Sequence, residues 1–155
     1  MKTNDPIFGE LTYGYGWTRE VELDFFEKRN IITLIVDGDE EGRFDQDQYI
    51  AYQTYLENWH QLQSHVLQSL LQYYQQKKQE LGYDIAINAD YPAIEGIEQI
   101  RSMVTLEAIA VPYGDIHKER NIGLLFTCTW DPENGVGVRL LNEGVAEVGY
   151  QDATI

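Results

Sequence analysis

The residues of this chain best spaced to do chemistry are the carboxylates of Asp37, Asp39, Glu41 and Asp45. Counted from Asp37 they occupy places one, three, five and nine, with Gly42 at place six, a spacing that overlaps the twelve-residue calcium loop. Place twelve, where such a loop needs a bidentate carboxylate, is Gln48, and the residues ahead of Asp37 read as a strand rather than a helix. An acidic, solvated loop feeding a helix N-terminus accounts for the same pattern, so the expectation is no metal, with these four as the calcium-like set. His60 and His65 are five apart on a helix, about 140° around it, and cannot share a metal. The chain has no His-Glu-x-x-His, no glycine-rich phosphate loop and no Cys-x-x-Cys pair. Carboxylate pairs are abundant only because acids are abundant. The expectation is a protein without catalytic residues and without a cofactor.

The stretch that must position everything else runs from Asp45 to Leu81 without a glycine or proline. Tyr49, Tyr52, Leu56, Trp59, Leu62, Val66, Leu70 and Tyr73 follow at steps of three or four, which keeps side chains on one face of a helix, and Tyr55, Leu67, Leu71 and Tyr74 widen that stripe. Asp45 with Gln48 three places on has the form of a capping box. Lys77 and Lys78 suit the negative end of the dipole, and Gly82 suits a left-handed C-terminal cap. The opposite face carries Gln46, Gln53, Gln61, Gln68, Gln72, Gln75, Gln76 and Gln79. At about 1.5 Å per residue the helix would be roughly 55 Å long, so a bend or a protruding end is expected.

Strands flank it. Ile7 to Tyr13 reads as the first and Trp17 to Phe26 as the second, with Val21, Leu23 and Phe25 alternating against Glu20, Glu22 and Asp24. After a turn at Glu27 to Asn30, Ile31 to Val36 is apolar on both faces and belongs in the centre of a sheet. Beyond the helix, 83–93 reads as loop, a short helix starts near Ala93, and Thr105 to Val111 is a strand. A turn at Pro112 to Asp115 and a connection through His117, Lys118, Glu119 and Arg120 lead into strands at 122–130, 136–141 and 145–150. Asn134-Gly135 marks one hairpin turn and Asn142-Glu143-Gly144 the next. The expected fold is a single α+β domain over residues 1–155. It has a mostly antiparallel sheet of about 6–7 strands, one long helix (about 45–81) and one short helix packed against it.

The net charge is −15 over 155 residues. Residues 1–48 carry twelve acids and five bases, 49–81 two of each, and 82–155 twelve acids and four bases, so the charge lies on the parts flanking the helix. Such a surface repels nucleic acid and anionic lipid and attracts basic proteins. Cys128, the single cysteine, excludes an internal disulfide and reads as a small buried hydrophobe in a reducing compartment. The N-terminus has no apolar signal-like stretch, and Ile31 to Val36 is too short to span a bilayer. A cytoplasmic protein with no membrane and no nucleic-acid partner is expected.

Phe8-Gly9-Glu10-Leu11 and Gly16-Trp17 near the start, with Gly123-Leu124-Leu125-Phe126, Trp130-Asp131, Asn134 to Val138 and Gly149-Tyr150-Gln151-Asp152 near the end, resemble a family of small bacterial proteins. That family is a domain of unknown function, met as stand-alone proteins and among immunity-protein-like genes beside polymorphic and contact-dependent toxins. The resemblance carries no catalytic motif; Gly135 reads as a positive-φ position, and Trp17 and Trp130 as core anchors. Two functions follow as expectations. One is an immunity protein that neutralises a basic, nuclease-type toxin through acidic complementarity, with Asp37, Asp39, Glu40, Glu41, Asp131, Glu133 and Glu143 as the contact residues. The other is a housekeeping or regulatory binding domain, monomer or homodimer, pairing through the uncharged glutamine face of the helix or its Tyr/Trp edge.

Overall fold

The computed structural model describes residues 1–114 and 119–154. Asp115, His117 and Lys118, parts of the expected turn and basic connection, lie outside them. Eight strands form one sheet in chain order: β1 (Lys2–Asp5), β2 (Gly9–Tyr13), β3 (Trp17–Phe25), β4 (Lys28–Val36), β5 (Val104–Val111), β6 (Asn121–Cys128), β7 (Val136–Leu141) and β8 (Gly144–Gly149). Every neighbouring pair is antiparallel except β4 and β5, which run parallel from Thr33–Ala108 to Val36–Val111. Between them the chain makes α1 (Gln46–Glu80) and α2 (Ile97–Arg101); a last turn, α3 (Gln151–Thr154), closes the chain. The α+β architecture matches the sequence reading, with one strand more than the upper expectation.

That extra strand is β1. Lys2–Asp5 is polar, short and at the sheet edge, so it shows no apolar alternation. Asp5 folds it back by accepting the N–H groups of Ile7 and Phe8 at 2.9 and 2.8 Å, which starts β2 at Gly9 rather than Ile7. The β3–β4 turn is also tighter than expected. Phe25 pairs with Lys28, so the loop is only Phe26-Glu27, with φ values of 51° and 68°. Two-residue hairpins favour this left-handed geometry, but normally with Asn-Gly. Here the helix supplies what the turn residues do not: Phe26 N–H donates to Gln63 Oε1 at 2.7 Å, Trp59 Nε1 donates to the Asp24 carbonyl at 2.7 Å, and Arg101 lies over the Phe26 ring.

α1 is one helix of 35 residues. Asp45 and Gln48 form the expected reciprocal box, Lys77 and Lys78 occupy the last turn, and Gly82 has φ 79°. Its buried stripe follows the predicted one with two corrections. Leu56 is 42% exposed, because the step from Tyr55 to Trp59 already fills the turn against the sheet; Gln48 and Gln63, both polar, are buried. The N-terminal half packs on the first four strands, where Tyr49 and Tyr52 meet Phe8 and Trp59 stacks on Phe25. The C-terminal half meets the last strands and their turns, where Tyr74 sits edge-on to Trp130 and donates its hydroxyl to the Pro92 carbonyl. All eight glutamines of the outer face are exposed. Among the described residues no helix is long and apolar enough to cross a membrane.

Trp17 and Trp130 are buried as anchors, and Cys128 is buried as a small hydrophobe. Burial pushes the Cys128 thiol up to about 11, which disfavours the thiolate at neutral pH.

Candidate functional site

Strand alternation sends Leu34 and Val36 of β4 to the helix side and Ile31, Thr33 and Ile35 to the other. On that second side, β3 sets Glu22 beside Ile31, Glu20 beside Thr33 and Thr18 beside Ile35. Glu20, Glu22 and Asp24 are exposed, Ile31 is 69% exposed, and Thr33 and Ile35 are half-buried, so among the described residues no second layer covers this part of the sheet. The bulge in β5 between Leu106 and Ala108 adds an exposed Glu107. Arg29 neutralises part of the column through Glu22 at 3.0 Å and Asp24 at 3.1 Å; Glu20 has no cationic partner among the described residues. The result is an uncovered sheet face with carboxylates beside bare isoleucine.

Toward β7 the same face dips into a groove of about 300 Å³. Ala110 and Gly123 floor it, Ile35 and Pro112 flank it, and Tyr15, Asp37 and Arg139 stand at its borders. The floor is low because the cross-strand row Ile35, Ala110, Gly123, Arg139 has almost no side chain at its two middle positions. Tyr15 is fully exposed. Arg139 is held against β8 and β6 by Glu147 at 3.5 Å and the Asn121 Oδ1 at 3.1 Å.

The residues singled out by sequence are distributed around this face rather than gathered on it. Asp37 follows β4 directly and is fixed at both backbone atoms: its N–H donates to the Val111 carbonyl at 3.1 Å and its carbonyl accepts from Gln48 Nε2 at 2.7 Å. Its carboxyl is half-buried at the groove, and desolvation holds its pKa above the usual carboxylate value, opposed by the Tyr113 N–H. Asp39 faces away into its own loop. It accepts the N–H groups of Glu41 and Arg43 and pairs with the Arg43 guanidinium at 2.9 Å, and these contacts, the Arg43 N–H foremost, lower its pKa. Arg43 also reaches Glu41 at 3.3 Å, while Glu40 is exposed.

The turn residues divide between two ends of the sheet. β6 starts at the end of the sheet where β4 and β5 finish, so Asp131 and Glu133, which follow β6, lie at the opposite end from Asp37. Asp131 is occupied by the Asn134 N–H and side-chain amide. Glu143 shares the Asp37 end but stands three strand spacings away, roughly 15 Å, and is held bidentately by Arg120 with both contacts at 2.8 Å. The seven residues therefore do not form one surface.

The calcium-like set is likewise engaged elsewhere. Asp45 caps α1 through Gln48 N–H at 2.7 Å and accepts from Gly114 N–H at 3.1 Å; Asp39 is paired with Arg43. Among the described residues no three His, Cys, Asp or Glu side chains converge to hold a metal. Sequence reasoning used the β3 alternation to find the core and passed over its polar side. The acid column was readable as Glu20, Glu22 and Asp24; its neighbour Ile31 on an open face was not.

Asp37→Asn tests the cost of holding that carboxylate at the groove. The folded pKa is raised, so the native state binds the proton more tightly than the unfolded chain, and wild-type stability falls as pH rises through that interval. The variant is expected to raise the thermal midpoint at pH 7 and to lose the advantage below about pH 4, where both states are protonated. Thermal scans at pH 3.5 and 7 check it; an equal shift at both would contradict the assignment.

No curated protein and no solved structure matches the chain. The family model that does match, described as a domain of unknown function (DUF6985), covers residues 7–155, which takes in every strand except β1 and all three helices, and the chain belongs to that family.

Proposed function

We propose that this is a non-catalytic binding protein for a basic protein partner, acting in the cytoplasm as an immunity protein that neutralises a nuclease-type toxin. The observation that supports it most is the exposed face of β3 to β5, where Glu22 sits opposite exposed Ile31, Glu20 and Asp24 lie at the adjacent positions of the same strand, and Glu107 is exposed at the β5 bulge. Interfaces combine an apolar centre with a charged rim, and the pattern here is of that kind. A toxin that must hold phosphate presents cations; a carboxylate column on a protein of net charge −15 would steer it into contact and compete for the same positive site. Glu40 and Glu133, exposed at the two ends, extend the field rather than the contact.

Purification of the tagged protein from its host at low salt, followed by salt elution, identifies the partner. Reversing Glu20 and Glu107 to lysine should then slow association about tenfold or more at low ionic strength and flatten its salt dependence, leaving the thermal midpoint within a few degrees. If both the rate and its salt slope stay at wild-type values, the sheet face is not the contact surface.

A further inference from the structure

The groove beside the acid column has features that the column does not explain. Its one carboxylate among the described residues, Asp37, has no cation within ion-pair distance there, although Asp39 and Glu41 in the following loop are both paired with Arg43. Its backbone is fixed on both sides, by Val111 and Gln48, so its position is set before anything binds. Arg139 on the far wall is engaged by Glu147 and Asn121, so among the described lining residues Asp37 is a charged group left without an ion-pair partner. The floor of Ala110 and Gly123 between Ile35 and Pro112 is narrow and apolar, suited to an alkyl stem. Tyr15, fully exposed at the rim, offers a ring face to a planar cation. A volume of about 300 Å³ is at the lower bound for small-ligand pockets and holds a single long side chain rather than a cofactor.

We propose that this groove is the socket for one arginine side chain of the basic partner. The methylene stem lies over Ala110 and Gly123, and the guanidinium ends on the Asp37 carboxylate with Tyr15 stacked across it. Arginine fits better than lysine because its flat, weakly hydrated head can stack on Tyr15 while its forked N–H groups meet a carboxylate. An arginine buried in a pocket at the edge of a charged surface is the kind of anchor on which interface affinity concentrates. The proposal rests on the basic-partner reading and names the residue that such a partner must insert.

The test is a titration of the ¹⁵N-labelled full chain with n-butylguanidinium chloride, with n-butylurea as the neutral isostere and sodium chloride as the ionic-strength control. The expected result is saturable shifts of the Ile35, Tyr113 and Gly123 amides with half-saturation in the millimolar range, and none with n-butylurea. Asp37→Asn, whose spectrum should otherwise be retained, should raise the half-saturation at least tenfold; Tyr15→Ala should raise it about threefold. Shifts that do not saturate, that persist unchanged in Asp37→Asn, or that map to other residues would overturn the socket. No partner takes part, so failure here removes the socket and leaves the acid column standing. A working titration beside a host purification that recovers no basic protein would instead sink the toxin reading and keep the guanidinium site.

Discussion

Replacing Gln48 with alanine will lower the unfolding free energy by about 3–5 kcal/mol and the thermal midpoint by about 10 °C. Gln48 is 0% exposed, and its carboxamide is used in full. Nε2 donates to the Asp37 carbonyl at 2.7 Å and to the Val111 carbonyl at 3.1 Å, and Oε1 accepts the Asp45 N–H at 2.9 Å. One side chain thus ties the start of α1 to the ends of both parallel strands. Truncation strands the Asp37 carbonyl and the Asp45 N–H, each a desolvation penalty of about 1–3 kcal/mol, and takes one of two donors from the Val111 carbonyl, which keeps the Asp37 N–H; water entering the vacated space would relieve part of the cost. Gln48→Met keeps most of the volume and removes the polar contacts, so it should lose nearly as much as alanine. Chemical denaturation of the two variants separates lost bonds from lost packing; a methionine variant within about 1 kcal/mol of wild type would refute the account.

Gly135→Ala is expected to cost about 2–4 kcal/mol. The residue has φ 61°, where any side chain is strained, and a Cβ there would lie 2.6 Å from the Phe126 carbonyl oxygen and 2.6 Å from Gln151 Nε2. Those two atoms are themselves hydrogen-bonded at 2.7 Å, so the methyl group would drive apart the contact that docks α3 against β6. Adding Gln151→Ala should recover only part of the loss, because the backbone carbonyl and the φ strain remain. Full recovery in the double variant, read by urea denaturation, would place the whole cost on the side chain and contradict the backbone argument.

Both positions were legible to different depths. Asp45, Gln48 and Gly82 announce the ends of α1 because caps are local chemistry, and Asn134-Gly135 announces a positive φ for the same reason. The second role of Gln48, bridging Asp37 and Val111, depends on residues 63 positions apart and left no local trace. β1 went unread because its four residues are polar and gain their order from β2 alone. The sequence puts Phe26 at the end of a strand and Glu27 in a longer turn because neither residue favours left-handed geometry; Gln63 and Trp59, brought up by the helix, make the two-residue turn possible. For the candidate surface, the types were visible and the grouping was not. Loop carboxylates stood out by density, yet Asp39, Glu41 and Glu143 turn out to be paired with arginines, whereas Glu20 and Asp37 lack such partners among the described residues. Pairing is a tertiary property, and charge counts along a chain do not contain it.

The single parallel pair has a consequence for how the chain folds. Strands β1 to β4 pair only with chain neighbours, and so do β5 to β8; the two meanders meet along four residue pairs, from Thr33–Ala108 to Val36–Val111. Each meander can zip from its own hairpins with short loop closures, which are fast. The seam instead closes a loop of about seventy-five residues, the largest entropic step in forming the sheet, and its reward arrives only when α1 is already helical and reaches both halves. In kinetic terms α1 is a splint: as a rod rather than a coil it shortens that loop, and the seam at the centre of the finished sheet is the pairing expected to form last.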